Sequence, residues 1–260
     1  MTRPASYRLR RFRRALLCGI VRRYPALKRL LPAGTPLAVQ PFRCGDERTS
    51  DLLVFLPGIG DVLDDFERNR FVEAVLASRR PTDVLVADAH AGYYFHASVL
   101  DRLREDVIEP AKTCGYETIC LVGISLGGFG ALLYAMENTS DVRGLMLLAP
   151  YLGEDPLIAE IGAAGSLGAW NPGNVAPNNH PRRVWSWLKR SYGTPGDERA
   201  PEIVLGYGDR DWFVRGNALL ASALPRDRVF TVPGGHDWRT WETLWRAMLV
   251  RRDAETVSRS

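Results

Sequence analysis

Three residue types that together make an activated nucleophile stand at separate points of this chain, each in a short glycine-bearing segment. The first is Ser125, centred in Gly123-Ile124-Ser125-Leu126-Gly127, a G-x-S-x-G motif. A serine hydroxyl attacks poorly until a base takes its proton. The usual base is a histidine whose ring is held by a carboxylate. Of four histidines, His236 lies in Val232-Pro-Gly-Gly-His-Asp-Trp238, after the last apolar run and before the last helical one. His90 and His96 follow an earlier run and could reach the same rim, and His180 falls in a long insertion; His236, just after the final strand, is the expected base. The segment Gly206-Tyr207-Gly208-Asp209-Arg210-Asp211-Trp212-Phe213 offers two carboxylates. Asp211 is the expected partner, which leaves Asp209 as a turn aspartate bonded to its own backbone. Asp237 reads as the N-cap of the final helix.

Attack on an acyl carbon creates an oxyanion, which needs fixed N–H donors. The Leu126 N–H, directly after the serine, is one expected donor. The loop Pro57-Gly58-Ile59-Gly60 supplies the other, with the Ile59 N–H preferred and Gly60 the alternative. Gly58 and Gly60 let backbone approach a substrate closely; the plain alternative is a glycine turn. Tyr93, Tyr94, Phe95, Trp170, Trp212 and Trp238 flank expected strand ends and are candidates to line an apolar acyl pocket. Ordinary rim and cap packing is the other reading of these rings. The chemistry requires no metal and no cofactor.

These residues need elements to hold them. Ile119–Ile124 is an apolar run suited to a strand buried on both faces. Phe129, Leu132, Leu133 and Met136 then recur at a helical period. Strand, serine on a tight turn, helix is the context of a nucleophile elbow. A side chain at either flanking glycine would crowd that turn. Further strands are expected at 37–42, 51–56, 83–87, 143–149, 202–205 and 228–232. Helices are expected at 62–77, 99–114, 214–224 and 240–251. Alternating strands and helices imply a mainly parallel sheet covered on both faces. The stretch 151–200 is too long for a plain crossover. With Trp170, Trp185 and Trp187 it reads as a cap over the mouth of the sheet.

The elbow, the Gly-Asp-x-Asp segment and the Gly-Gly-His-Asp-Trp segment together resemble the α/β-hydrolase superfamily, from about Leu37 to Val250. The order Ser125, Asp211, His236 is the superfamily's order, distinct from those of the other serine hydrolase folds. The resemblance implies a sheet of about eight strands. It also implies an activity among carboxylesterases, thioesterases, lipases, peptidases and acyltransferases. The expected function is therefore a serine hydrolase of small-molecule carboxylic esters or thioesters, working through an acyl-enzyme on Ser125. Acyl transfer on the same residues, or a non-catalytic binding module at a membrane, are the alternatives. Pro57 stands where many members have histidine, which blurs the subfamily.

Length and composition agree with one such domain: 260 residues, 46% hydrophobic and 25% charged. Four cysteines lack CxxC spacing, which suggests neither a disulfide framework nor a zinc site and points to a reducing compartment. The net charge of +4 is unevenly spread, for residues 1–45 hold eleven Arg or Lys and no Asp or Glu. The remainder is net acidic, so the domain is not expected to bind nucleic acid. Residues 1–36 are expected to be a basic extension and 37–260 the catalytic domain. Within the extension, Leu9, Phe12, Leu16, Ile20, Tyr24, Leu27 and Leu31 share one helical face among arginines. Three readings stand for residues 8–31: a helix lying on an anionic membrane, a helix docked on the domain, or a targeting signal. No run is long enough to span a bilayer. A cytoplasmic location is expected, with any membrane contact peripheral. Oligomeric state is not encoded in any of these patterns.

Overall fold

The apolar runs pair side by side into one seven-stranded sheet in the order β1-β3-β2-β4-β5-β6-β7. The computed structural model describes Phe12, Leu31 and residues 33–46, 48–193 and 200–257. The strands are β1 Val39–Phe42, β2 Asp51–Leu56, β3 Asp83–Ala87, β4 Thr118–Ile124, β5 Gly144–Leu148, β6 Glu202–Gly208 and β7 Val229–Val232. Only β1, at the edge, runs antiparallel to its neighbour; all other pairs are parallel. Every residue of β2 and β5 is buried, as expected for strands covered on both faces. The expected count of about eight becomes seven among the described residues. The chain itself contains seven strand-like runs, and the eighth came only from the resemblance.

The topology decides which helices cover which face. From β2 the chain steps one way to β3, whereas from β4 it steps the opposite way to β5. Crossovers between parallel strands are right-handed, so opposite steps place their helices on opposite faces. On one face α1 (Asp64–Arg68) and α2 (Phe71–Leu76) lie beside the long final helix α9 (Trp238–Val257). There the Phe55 ring meets Phe66, Phe71 and Trp245, with centroids 5.0, 6.3 and 5.5 Å away. On the other face, α5 (Leu126–Glu137) packs on β2, β4 and β5. It is flanked by α4, which begins at Val99–Leu103, and by α7 (His180–Tyr192). The short helix α3 (Ala91–Phe95) follows β3, α6 (Asp155–Ala163) follows β5, and α8 (Val214–Ala221) packs on β6. The crevice where the steps reverse lies between the C-terminal ends of β2 and β4, the usual ligand position in such sheets.

Two helices differ from their expected form. The single helix expected over 62–77 is broken at Arg70, whose φ is 63°. Phe66 and Phe71 are five residues apart and would point in different directions on one straight helix. The break lets both rings reach Phe55. The helix expected over 99–114 forms, but widens to a π-turn over Arg104–Ile108 before ending as Glu109–Thr113. Pro110 has no N–H to give the Asp106 carbonyl, and a missing donor of this kind favours such a bulge. The basic stretch 8–31 lies outside the described residues except for Phe12, which is exposed, and Leu31, which is 2% exposed. Leu31 packs with Ala91 and Leu126, and its carbonyl lies 3.1 Å from His96 Nε2.

Candidate active site

Parallel strands bring all their C-terminal ends to one rim, and the three candidate residues are each carried just beyond such an end. Ser125 follows β4, Asp211 follows β6 and His236 follows β7. Ser125 has φ 53° and ψ −114°, a left-handed, strained conformation for a residue with a side chain. The turn is that tight because neighbouring backbone is close. A Cβ on Gly123 would come within 2.5 Å of the Gly128 Cα. A Cβ on Gly127 would press into the Leu56 carbonyl and lie 2.7 Å from the Pro57 oxygen. Both flanking glycines are therefore dictated by packing. The Ser125 N–H is anchored to the Leu148 carbonyl at 3.0 Å, and its own carbonyl accepts from Phe129 and Tyr151.

The hydroxyl so placed meets a histidine. Ser125 Oγ and His236 Nε2 are 2.9 Å apart, and His236 Nδ1 is 2.8 Å from Asp211 Oδ2. The Asp211 side chain is wholly buried, and its Oδ1 accepts the Phe213 N–H at 2.8 Å. With both oxygens engaged the carboxylate cannot swing away from the ring. Asp209 lies on the surface instead, where Oδ1 accepts the Gly234 N–H at 3.0 Å and braces the loop that carries His236. The other histidines are used elsewhere. His90 caps α3 through Nδ1, which accepts from the Gly92 N–H at 3.1 Å; His96 lies against Leu31; His180 starts α7. Asp237 caps α9, accepting from the Thr240 N–H at 3.0 Å.

Aromatic rings fix the imidazole plane. Trp212 stacks on it at 5.2 Å and 20°. Phe213 and Trp241 meet it edge-on at 5.1 and 4.9 Å. Trp212 is 80% exposed and leaves its outer face to solvent, so it suits a substrate wall. Trp241 was not singled out in the sequence, where it is one aromatic of a helical repeat. Trp238 reaches across to the glycine loop, its Nε1–H donating to Asp61 Oδ1 at 3.3 Å. Asp61 is 6% exposed and was also missed, because its partner lies 177 residues away.

The glycine loop lies beside the serine. A Cβ on Gly58 would sit 3.5 Å from Ser125 Cβ and 2.7 Å from Asp61 Oδ2. The Asp61 N–H bonds the Gly58 carbonyl at 3.2 Å, and Gly60 has φ 83°. This is a turn with positive φ at its third residue, which accounts for Gly60 by backbone geometry alone. Ile59 sits at the exposed tip, 51% accessible. Leu126 is the first residue of α5, where a helix leaves N–H groups without intrahelical acceptors.

Not every expected wall residue opens onto this rim. Trp170 is 2% exposed, with Nε1–H on Glu160 at 2.8 Å and the Arg182 guanidinium 5.6 Å from the ring centroid. It is core of the segment between β5 and β6. Tyr93 is 3% exposed and packs on His90. Tyr94 turns its buried hydroxyl toward Gly130 of α5, and burial pushes that phenol's pKa up. Indole and phenol rings suit a core and a cleft equally, and here the core takes three of the six expected rings.

No family model matches the sequence, and no curated protein does either. Solved structures do match in three dimensions. Est1E from Butyrivibrio proteoclasticus superposes with a TM-score of 0.59 at 18% identity, over 85% of this chain and 95% of that one. S-formylglutathione hydrolase (FrmB) from Staphylococcus aureus gives 0.53 at 14%, over 86% and 99%. FphF, a fluorophosphonate-binding serine hydrolase of Staphylococcus aureus, gives 0.53 at 15%, over 84% and 99%. Identity this low speaks for architecture alone. Sheet order, serine turn and these neighbours agree that the chain has the α/β-hydrolase fold.

Proposed function

We propose that this protein is a serine hydrolase that cleaves carboxylic esters or thioesters of small molecules. The single observation that carries the reading is the continuous contact Ser125–His236–Asp211, at 2.9 and 2.8 Å, beginning on a strained serine. Ser125 Oγ attacks the acyl carbon while His236 Nε2 takes its proton. The carbonyl oxygen becomes an oxyanion held by the Leu126 and Ile59 N–H groups. When the tetrahedral adduct collapses, the bond to the leaving alcohol or thiol breaks and His236 returns the proton to it. Water then attacks the acyl-enzyme by the same route and the acid departs. Asp211 keeps the Nδ1 proton in place and balances the imidazolium formed in each half. Two of these neighbours are named as hydrolases, an S-formylglutathione hydrolase and a fluorophosphonate-binding serine hydrolase, which supports ester cleavage in general.

The partly open rim, with Trp212 and Ile59 exposed beside the serine, suits an apolar acyl group. The experiment is a panel of chromogenic esters of graded acyl length, run beside acyl-thioesters, on the wild type and Ser125→Ala. A fluorophosphonate probe identifies the labelled residue. Loss of about 10⁴-fold in rate and of labelling in the variant is expected. Full turnover by folded Ser125→Ala would end the proposal.

A further inference from the structure

The serine, the acid and the base stand on three separate loops, and those loops must be held in register. The serine turn is fixed to β5. The Ser125 N–H bonds the Leu148 carbonyl at 3.0 Å, and the Ser125 carbonyl accepts from the Tyr151 N–H at 3.0 Å. Between these two contacts the chain leaves β5 through Ala149, whose φ is 44°. That is a left-handed conformation for a residue with a side chain, and it precedes a proline, which narrows the choices further. Pro150 lies against the serine helix, for a Cβ on Gly128 would come within 2.8 Å of the Pro150 Cβ. A costly backbone state directly beside the nucleophile persists only where its neighbours hold it.

One such neighbour is Asn217, in the middle of α8 and wholly buried. Its Nδ2 donates to the Phe213 carbonyl at 2.9 Å, one turn back along the chain, and makes a longer contact of 3.5 Å with the Pro150 carbonyl. Both groups that face the nitrogen are acceptors, so the amide has one orientation. Phe213 is the residue whose N–H holds Asp211 Oδ1 at 2.8 Å. Its ring meets His236 at 5.1 Å and Tyr151 at 5.6 Å. One side chain thus spans the loop that carries the acid and the strand exit that anchors the serine turn. Asn217 Oδ1 is buried and has no partner among the described residues. An unmet buried acceptor is destabilising, and asparagine is a poor helix former. Leucine would fill much the same space without either cost. Stability therefore does not account for an amide at this place, whereas the position of its two carbonyl partners does.

We infer that Asn217 is a positioning residue, whose amide couples the Asp211 loop to the exit of β5 and so sets the gap that His236 bridges between Asp211 and Ser125. The inference rests on the reading of Ser125 as the nucleophile. Asn217 touches none of the reacting groups. Its effect passes through Phe213 to the carboxylate, and through Pro150 and Tyr151 to the serine carbonyl. Without it the acid and the nucleophile are free to drift apart, and a misplacement of about 1 Å costs about 10²-fold in rate.

Two variants of the full-length protein test this, Asn217→Leu and Asn217→Ser. Leucine removes both contacts. A serine hydroxyl can still bond the carbonyl four residues back, but it is too short to reach Pro150. The measurements are kcat and KM on the best ester of the panel, the rate of fluorophosphonate labelling of Ser125, and the melting temperature. Both variants should lose about tenfold or more in kcat while KM stays within about twofold. Labelling should slow in parallel, because it depends on the alignment of Ser125 and His236 and not on recognition of the ester. If the leucine variant fails to fold, the serine variant decides by the same readings. Wild-type kcat in folded Asn217→Ser would reduce Asn217 to a local helix contact and overturn the inference. So would a loss confined to KM, or one that vanishes once corrected for the folded fraction. A wild type that neither turns over esters nor labels at Ser125 would instead end the reading of Ser125, and this inference with it.

Discussion

Replacing Asp211 by asparagine changes one atom in a buried, fully bonded position, and its effect can be worked from the contacts. The Phe213 N–H at 2.8 Å needs an acceptor, so the asparagine carbonyl stays there and the amide nitrogen faces His236 Nδ1. Nδ1 must then accept, the ring proton moves to Nε2, and the lone pair facing Ser125 Oγ at 2.9 Å is lost. Flipping the amide restores the tautomer but leaves the Phe213 N–H facing a donor, a cost of about 1–3 kcal/mol. The charge that balances the imidazolium is lost in either orientation. At an effective dielectric of about 20 a unit pair near 4 Å is worth about 4 kcal/mol. Together these give about 5–7 kcal/mol, or about 10⁴-fold or more in rate. The asparagine fits the same space, so the fold should persist, with a melting temperature within a few degrees of wild type. Asp209→Asn is the control. Its side chain is 51% exposed, and an amide oxygen can still accept from Gly234, so turnover should change by no more than about twofold. The assay is kcat/KM on the best ester of the panel, with circular dichroism to check folding. A folded Asp211→Asn within tenfold of wild type, or a larger loss in Asp209→Asn, would refute the reasoning.

Gly127→Ala should destabilise by about 1–3 kcal/mol in chemical denaturation, because its methyl meets the carbonyls of Leu56 and Pro57. An ordinary helical position would instead gain about 1 kcal/mol from the same change, so a stabilised variant would contradict the packing described. Hydrogen bonds from Arg182, then from Trp170, hold the Glu160 carboxyl down at about 2. Because the folded value is depressed, its stabilisation is present above the unfolded carboxylate range and is lost as pH falls towards 2. Glu160 is 43% exposed in its side chain, so solvent screening limits the effect to less than about 1 kcal/mol. Melting curves of wild type and Glu160→Gln should differ slightly at pH 6 and converge near pH 2; a gap that widens on acidification would be the wrong sign. Leu31→Ala should cost about 2 kcal/mol and lower kcat/KM, since Leu31 packs on Leu126. An unchanged melting temperature would show that the end of the basic stretch does not brace the rim.

What could be read from the chain before its structure follows a physical divide between local and distant causes. Strand runs such as Leu52–Leu56 are continuous because both faces are buried, and that pattern needs no knowledge of partners. The glycines around Ser125 were readable for a related reason: a serine turn this tight has few backbone solutions. Arg70 could not be foreseen, since nothing in arginine favours positive φ. The demand came from Phe66 and Phe71 both reaching Phe55. Chain order cannot choose between Asp209 and Asp211, since both fall between Ser125 and His236, and burial separates them: the first braces a loop from the surface, the second is enclosed beneath His236. Aromatic residues were the hardest to place. Trp170, Trp212 and Trp241 have the same side chain, yet one is core, one is an exposed wall and one is a buttress on the imidazole. The indole gains from burial wherever its N–H finds an acceptor. Glu160 supplies that acceptor to Trp170, and so draws into the core a ring whose position in the chain pointed to the cleft.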